Sequence, residues 1–165
     1  MNKETFGYEF IDVVPNSVEK KEYQPTKKVL RGVHVSESDF IVLWSGGYNT
    51  WTDIDTLFKA LTKAMSQNQD IKFVSTGGKI DGHDDLTYPN FLKLIESSPY
   101  KDRFIMQGWV PTEDIENYYF ESDLGINIDA ANYAVIFGAR NRLTHMMKIG
   151  LPVLTTVGTE VTQII

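Results

Sequence analysis

Residues 133–156 read Tyr-Ala-Val-Ile-Phe-Gly-Ala-Arg-Asn-Arg-Leu-Thr-His-Met-Met-Lys-Ile-Gly-Leu-Pro-Val-Leu-Thr-Thr. The stretch predicts a helix opening on Gly138-Ala139 and ending at Gly150, followed by a short buried strand at Val153-Leu154. Lys148 in the last turn, Gly150 at the stop and Pro152 just beyond it are three independent end signals. A helix that opens on two small residues presents bare backbone N–H groups, and here Arg140 and Arg142 follow within a turn. That combination suits a phosphate.

The same strand-helix alternation extends back to Phe40. Phe40-Ile41-Val42-Leu43-Trp44 is an apolar run of strand length closed by Ser45-Gly46-Gly47. Trp51, Ile54, Leu57, Phe58, Leu61 and Met65 then recur at helical spacing, with Thr52 and Asp55 able to form a capping box. Ile71-Lys72-Phe73-Val74 predicts a second strand, and Phe91, Leu92, Leu94 and Ile95 a short helix. Arg103-Phe104-Ile105-Met106 predicts a third strand, and Pro111-Thr112 with Glu113, Asp114 and Glu116 the start of an acidic helix. Leu124-Gly125-Ile126-Asn127-Ile128 predicts a fourth strand, and residues 160–165 begin a further helix. Such alternation gives an α/β fold: a three-layer, Rossmann-like parallel sheet with helices on both faces. Ligands of these sheets bind beyond the carboxyl ends of the strands. Those ends lead into residues 46–51, 77–85, 108–111 and 129–142. Residues 1–38 are polar and weakly periodic, which reads as a linker with one edge strand near residues 8–14. The domain proper is then expected at 39–165.

The 165 residues are 42% hydrophobic and 23% charged, ordinary for one globular domain. The formal charge of −6, without a long basic run, argues against nucleic acid as a partner. There is no cysteine, which excludes disulfides, thiolate catalysis and Cys-type zinc sites, and leads us to expect a reducing cytoplasm. No apolar run reaches the length of a membrane span, and the start Met-Asn-Lys-Glu does not read as a signal peptide.

Three places together resemble the nucleotide-sugar-binding half of a group 1 glycosyltransferase of the two-domain GT-B fold. Val13-Val14-Pro15-Asn16-Ser17-Val18-Glu19 with Tyr23-Gln24-Pro25 resembles that family's crossing between domains. Phe104-Ile105-Met106-Gln107-Gly108-Trp109-Val110, the acidic helix and Ser122-Asp123-Leu124-Gly125-Ile126 resemble its Phe, Gly, Val; helix; Ala-Asp-Val succession. Gly138 to Gly150-Leu151-Pro152-Val153 resembles its donor-binding helix and the strand behind it. The resemblance implies a metal-independent, retaining transfer of sugar from a nucleoside diphosphate-sugar to an acceptor hydroxyl. The nucleotide sugar would be a co-substrate with no further cofactor. An acceptor-binding domain would precede residue 1, and this half alone would be inactive. Two departures stand out. The loop Gly46-Gly47-Tyr48-Asn49-Thr50-Trp51 lacks the family's arginine and lysine, and the paired glutamates are missing, the second position being His145. Arg140 and Arg142 would supply the absent positive charge.

The candidate diphosphate contacts are Gly46, Gly47, Asn49, Gly138, Ala139, Arg140 and Arg142, with Arg140 foremost and Arg142 alternatively paired with an acid. The candidate nucleoside or sugar contacts are Gly77, Gly78, Trp109, Val110, Asp129 and His145. Trp109 reads more simply as core packing and His145 as a structural helical residue. Asp81, His83, Asp84 and Asp85 form an acidic loop that we read as solvated rather than metal-binding. Asp53-Ile54-Asp55 matches the Asp-x-Asp string of metal-dependent sugar transferases, but its place in a helix's first turn makes it a cap. Two rival readings remain: a degenerate domain serving as a binding or scaffold module, and half of a nucleotide-sugar epimerase.

Overall fold

Along β1 (Phe40–Ser45), Ile41 and Leu43 point to one side of the sheet and Val42 and Trp44 to the other, and all four are buried. A strand covered on both faces needs helices on both faces, and the chain supplies them. The computed structural model describes residues 16–158 and Thr162. In it α1 (Ile54–Gln67), β2 (Ile71–Thr76), α2 (Thr87–Glu96), β3 (Phe104–Gly108), α3 (Ile115–Glu121), β4 (Leu124–Asn127), α4 (Tyr133–Phe137), α5 (Asn141–Ile149) and β5 (Val153–Thr155) follow β1 in order. The five strands form one parallel sheet in the order β3-β2-β1-β4-β5. The chain order reverses beside β1, so the ends of β1 and β4 flank the switch point where such sheets bind ligands.

Two cores result. On one face, Leu57, Leu61 and Met65 of α1 and Phe91 and Ile95 of α2 pack with Val42, Trp44 and Phe73. On the other, Tyr118 and Tyr119 of α3 and Met146 of α5 pack with Ile41, Leu43 and Val74.

Gly150 ends α5 at φ +81°, as expected of a glycine stop. The link after β2 is tighter. Gly77 has φ +130°, and a side chain there would run into the carbonyl of Gly46, so only glycine lets the β1 and β2 loops touch.

Four expectations change. First, α1 starts one residue late and is capped by Asp53, whose Oδ1 accepts from the Thr56 amide at 2.9 Å. Thr52 is drawn out of the helix, pairing as a lone bridge with Asp129 and accepting from the Asn49 amide at 3.1 Å. Second, the acidic helix opens as a 3-10 turn at Thr112–Asp114 before α3. Third, no single helix runs from Gly138: α4 ends at Phe137, residues 138–140 are irregular, and α5 begins at Asn141. Fourth, the division at residue 38 cuts through the second core, because Leu30 is fully buried in it and Val35 nearly so. Glu121 anchors that segment by accepting from the amides of Val29, Leu30 and Arg31 at 2.7, 2.9 and 2.6 Å. The expected edge strand at residues 8–14 and helix at 160–165 lie outside the described residues, as does the start of the crossing segment at 13–15.

Glu121→Ala should lower the unfolding free energy in urea by about 3 kcal/mol, the loss of charge-assisted bonds to otherwise stranded amides. A change below about 0.5 kcal/mol would mean that residues 29–31 are not part of the folded unit.

Candidate anion-binding site at the carboxyl edge of the sheet

Buried polar atoms are nearly always hydrogen-bonded, so the exceptions mark places with a task. Among the described residues four buried side-chain atoms have no partner: Asn49 Oδ1, Thr76 Oγ1, Asn127 Oδ1 and Arg142 Nη1. Thr76 ends β2, Asn127 ends β4, Asn49 follows β1 and Arg142 lies in the first turn of α5. All four therefore gather at the carboxyl edge of the central strands.

Arg142 is the most unusual of them. Its Nη2 donates weakly to the Gly47 carbonyl at 3.3 Å, and its guanidinium carbon lies 4.5 Å from the centre of the Trp44 ring. Gly46 turns the loop beside it at φ +98°, and a Cβ there would stand 3.5 Å from Nη2, an ordinary contact distance. Among the described residues no carboxylate pairs with it within 4 Å. Burial pushes the guanidinium below the usual arginine range, and the nearby Asp129 charge only partly opposes that shift. No side chain caps α5, so its positive end adds to the same field.

Arg140 is placed differently from the expectation. Its Nε donates to Asp129 Oδ2 at 2.8 Å, and both side chains are almost wholly buried. Asn127 Nδ2 donates to the same oxygen at 2.9 Å. The Arg140 guanidinium also lies 5.7 Å from the centre of the Trp51 ring. The alternative that sequence reasoning raised for Arg142, pairing with an acid, belongs to Arg140. This pair joins the end of β4 to the start of α5 and pins the neck of residues 130–139.

The other expected residues divide. Gly46, Gly47 and Asn49 lie beside Arg142 or in its loop, while Gly138 and Ala139 sit in the link before α5 rather than in a helix mouth. The space over Gly47 is filled by Ile80, whose Cδ1 would be 2.5 Å from a Cβ there. A Cβ on Gly78 would stand 3.3 Å from the Tyr88 ring, so close packing accounts for it. Trp109 is not core: it is 63% exposed, lies across Gly47 and donates from Nε1 to the Lys79 carbonyl at 3.0 Å. Val110 packs on the α3/α5 face of the core. His145 is exposed on α5 and acts electrostatically on Glu116 of α3, on that side of the helix rather than at the sheet edge.

Sequence reasoning missed Thr76 and Asn127. The signal was present as polar residues closing otherwise apolar strands. In the acidic loop, Asp84 accepts from Leu86 N, Thr87 N and Thr87 Oγ1, while Asp81 and Asp85 pair with Lys79. Burial opposes ionising Asp84, but the Thr87 and Leu86 bonds outweigh it and hold the carboxyl below its usual range. A depression of about 410 Å³ lies between residues 18–24 and Phe120, Lys148 and Ile149, at the opposite end of α5 from Arg142.

No family model matches the chain, and no curated protein matches it. Solved structures do. HepE from Anabaena in complex with UDP and glucose aligns at TM-score 0.59 and 18% identity, over 77% of this chain and 32% of that one. A TarM variant from S. aureus in complex with fondaparinux, alpha-GlcNAc-glycerol and UDP aligns at TM-score 0.57 and 15% identity, over 94% and 28%. The GtfA/B complex aligns at TM-score 0.57 and 17% identity, over 72% and 21%. These are GT-B glycosyltransferases, and the likeness establishes that this chain has the fold of one GT-B domain. The chain spans a third or less of the length of each.

Two outcomes follow from the geometry. Asp129→Ala should cost about 3–5 kcal/mol of unfolding free energy, because it strips a buried guanidinium of its carboxylate; a surface-like loss under 1 kcal/mol in urea would show the pair to be open. Hydrogen bonds from Thr56, its backbone amide first, hold the Asp53 carboxyl below its ordinary 3.8. Its stabilisation is therefore full above that value and fades as pH falls through it. Asp53→Ala should cost about 1 kcal/mol at pH 6, less below pH 4, and the same with or without added Mg²⁺ or Mn²⁺. A cost that grows with metal would make Asp53 a ligand.

Proposed function

We propose that this chain is the donor-binding domain of a metal-independent, retaining glycosyltransferase that moves a sugar from a nucleoside diphosphate-sugar to an acceptor hydroxyl. The observation that carries the reading is Arg142: a buried guanidinium with an unmet N–H, beside a glycine loop and an uncapped helix start, at the sheet edge where this fold binds ligands. Structures of the same fold hold UDP, and one holds UDP-glucose.

Loss of a sugar places developing negative charge on the departing diphosphate. A preorganised guanidinium and helix amides stabilise that charge without a metal. In this reading Arg142 and the first amides of α5 take it, beside the turn at Gly46. Arg140 contributes through Asp129 rather than by direct contact. The acceptor site and any general base belong to a further domain, so this chain alone binds the donor without turning it over. We assign the reaction to the cytoplasm, where nucleotide sugars are made and no cysteine is needed.

A second reading has its own observation. Asp129 engages Arg140, and the loop of residues 46–51 carries no cation, as in a domain that has lost its donor and serves as a binding or scaffold module.

UDP in large excess should raise the melting temperature, since a ligand at 100 times its Kd stabilises by about 2.7 kcal/mol. The shift should persist in EDTA. No shift with UDP, GDP or their sugars would favour the scaffold reading.

A further inference from the structure

An anion satisfies donors, and two of the orphaned atoms at the sheet edge are not donors. Asn127 Oδ1 is the clearer case, because its amide orientation is settled by its neighbours. Nδ2 donates to Asp129 Oδ2 at 2.9 Å and to Thr155 Oγ1 at 3.3 Å, so the unpartnered atom is the carbonyl oxygen, a pure acceptor. The residue is 1% exposed. Leaving such an acceptor unmet costs free energy that a strand residue could avoid by being apolar.

The register shows what surrounds it. Ser45 pairs with Thr76 across β1 and β2, and Asn127 pairs with Thr155 across β4 and β5. Leu43 pairs with Gly125, so two residues further on Ser45 stands opposite Asn127. Thr76, Ser45, Asn127 and Thr155 thus form one polar row across the carboxyl edge. The Ser45 hydroxyl is engaged with the Tyr119 hydroxyl of α3 at 2.9 Å, which marks the face of the sheet that α3 and α5 cover. Arg142 belongs to α5, on that face. Its unmet donor and the unmet Asn127 acceptor do not bond to each other, so a ligand that completes this edge must offer an acceptor to Arg142 and a donor to Asn127. An ionised phosphate supplies only acceptors. A hydroxyl supplies the donor.

We infer that Asn127 is a specificity-determining residue: it accepts a hydrogen from a hydroxyl on the carbohydrate part of the ligand whose phosphate Arg142 holds. The site therefore favours a phosphate ester of a sugar over an inorganic anion. The inference rests on the donor-binding reading and adds the group that the bare diphosphate lacks.

Calorimetric titration of the whole chain with pyrophosphate, UDP, 2′-deoxy-UDP, 3′-deoxy-UDP and UDP-glucose tests it. In the parent protein, removing one ribose hydroxyl (UDP to 2′-deoxy-UDP or to 3′-deoxy-UDP) or the glucosyl group (UDP-glucose to UDP) should weaken binding about fivefold to tenfold, the size of one hydrogen bond. Which arm changes identifies the hydroxyl. Asn127→Leu should abolish that difference while leaving pyrophosphate affinity within twofold. If no arm changes in the parent, an ordered water rather than a ligand hydroxyl meets Asn127, and the inference is overturned. Equal weakening of pyrophosphate and UDP-glucose by Asn127→Leu also overturns it, by showing that Asn127 acts only through Asp129. Should that variant not fold, Asn127→Ala is read in its place by the same criteria. Failure of the parent to bind any of the five ligands removes the donor-binding reading and this inference together.

Discussion

A guanidinium taken out of water without a carboxylate of its own is the constraint around which this domain is arranged. Transfer of a charge into a protein interior is costly unless partners replace the lost water. Among the described residues Arg142 has only a long bond to Gly47 and the face of Trp44. The fold keeps it there beside the glycine turn at Gly46, a helix start with no side-chain cap, and Asp129 held close by but engaged with Arg140. The site is therefore unsatisfied as built, and an incoming anion is the kind of group that completes it.

The scaffold around this charge is rigid where it must be. β1 and β4 bring their ends together at the reversal of strand order, and Gly77 allows the β1 and β2 loops to touch carbonyl to Cα. The Asp129–Arg140 pair ties the end of β4 to the start of α5, so the helix that carries Arg142 cannot drift from the sheet without breaking a buried ion pair. Stabilisation of the fold and placement of the anion site are thus one arrangement. Glu121 and the Leu30 region close the opposite side, where the chain enters the domain.

Period and punctuation made the architecture legible. The alternation of buried runs such as Ile41 to Trp44 with helical spacing such as Leu57, Leu61 and Met65 gave the parallel sheet and both its faces, and Gly150 marked a true helix end. Local signals misplaced what tertiary contacts decide. Thr52 reads as a cap until β4 pulls it into a bridge, and Gly138-Ala139 reads as a helix start until the neck pair at Arg140 breaks the chain there. For the site, sequence order named both arginines but not which of them would be neutralised. That depends on Asp129, eleven residues before Arg140 and brought to it by the turn after β4. Thr76 and Asn127 show in the sequence as polar ends of apolar strands, but that their atoms stand unpaired is a property of three-dimensional neighbours.

The most direct test is the unfolding free energy of Arg142→Met against the parent, measured in urea with and without saturating pyrophosphate. If the guanidinium is a charge waiting for an anion, the variant matches or exceeds the parent by about 1 kcal/mol when no anion is present, since an apolar side chain of similar length removes an unpaid desolvation. Pyrophosphate then stabilises the parent alone and reverses the order. A variant that is several kcal/mol weaker without anion, beside a parent that pyrophosphate leaves unchanged, would show Arg142 to be a structural residue and contradict the account.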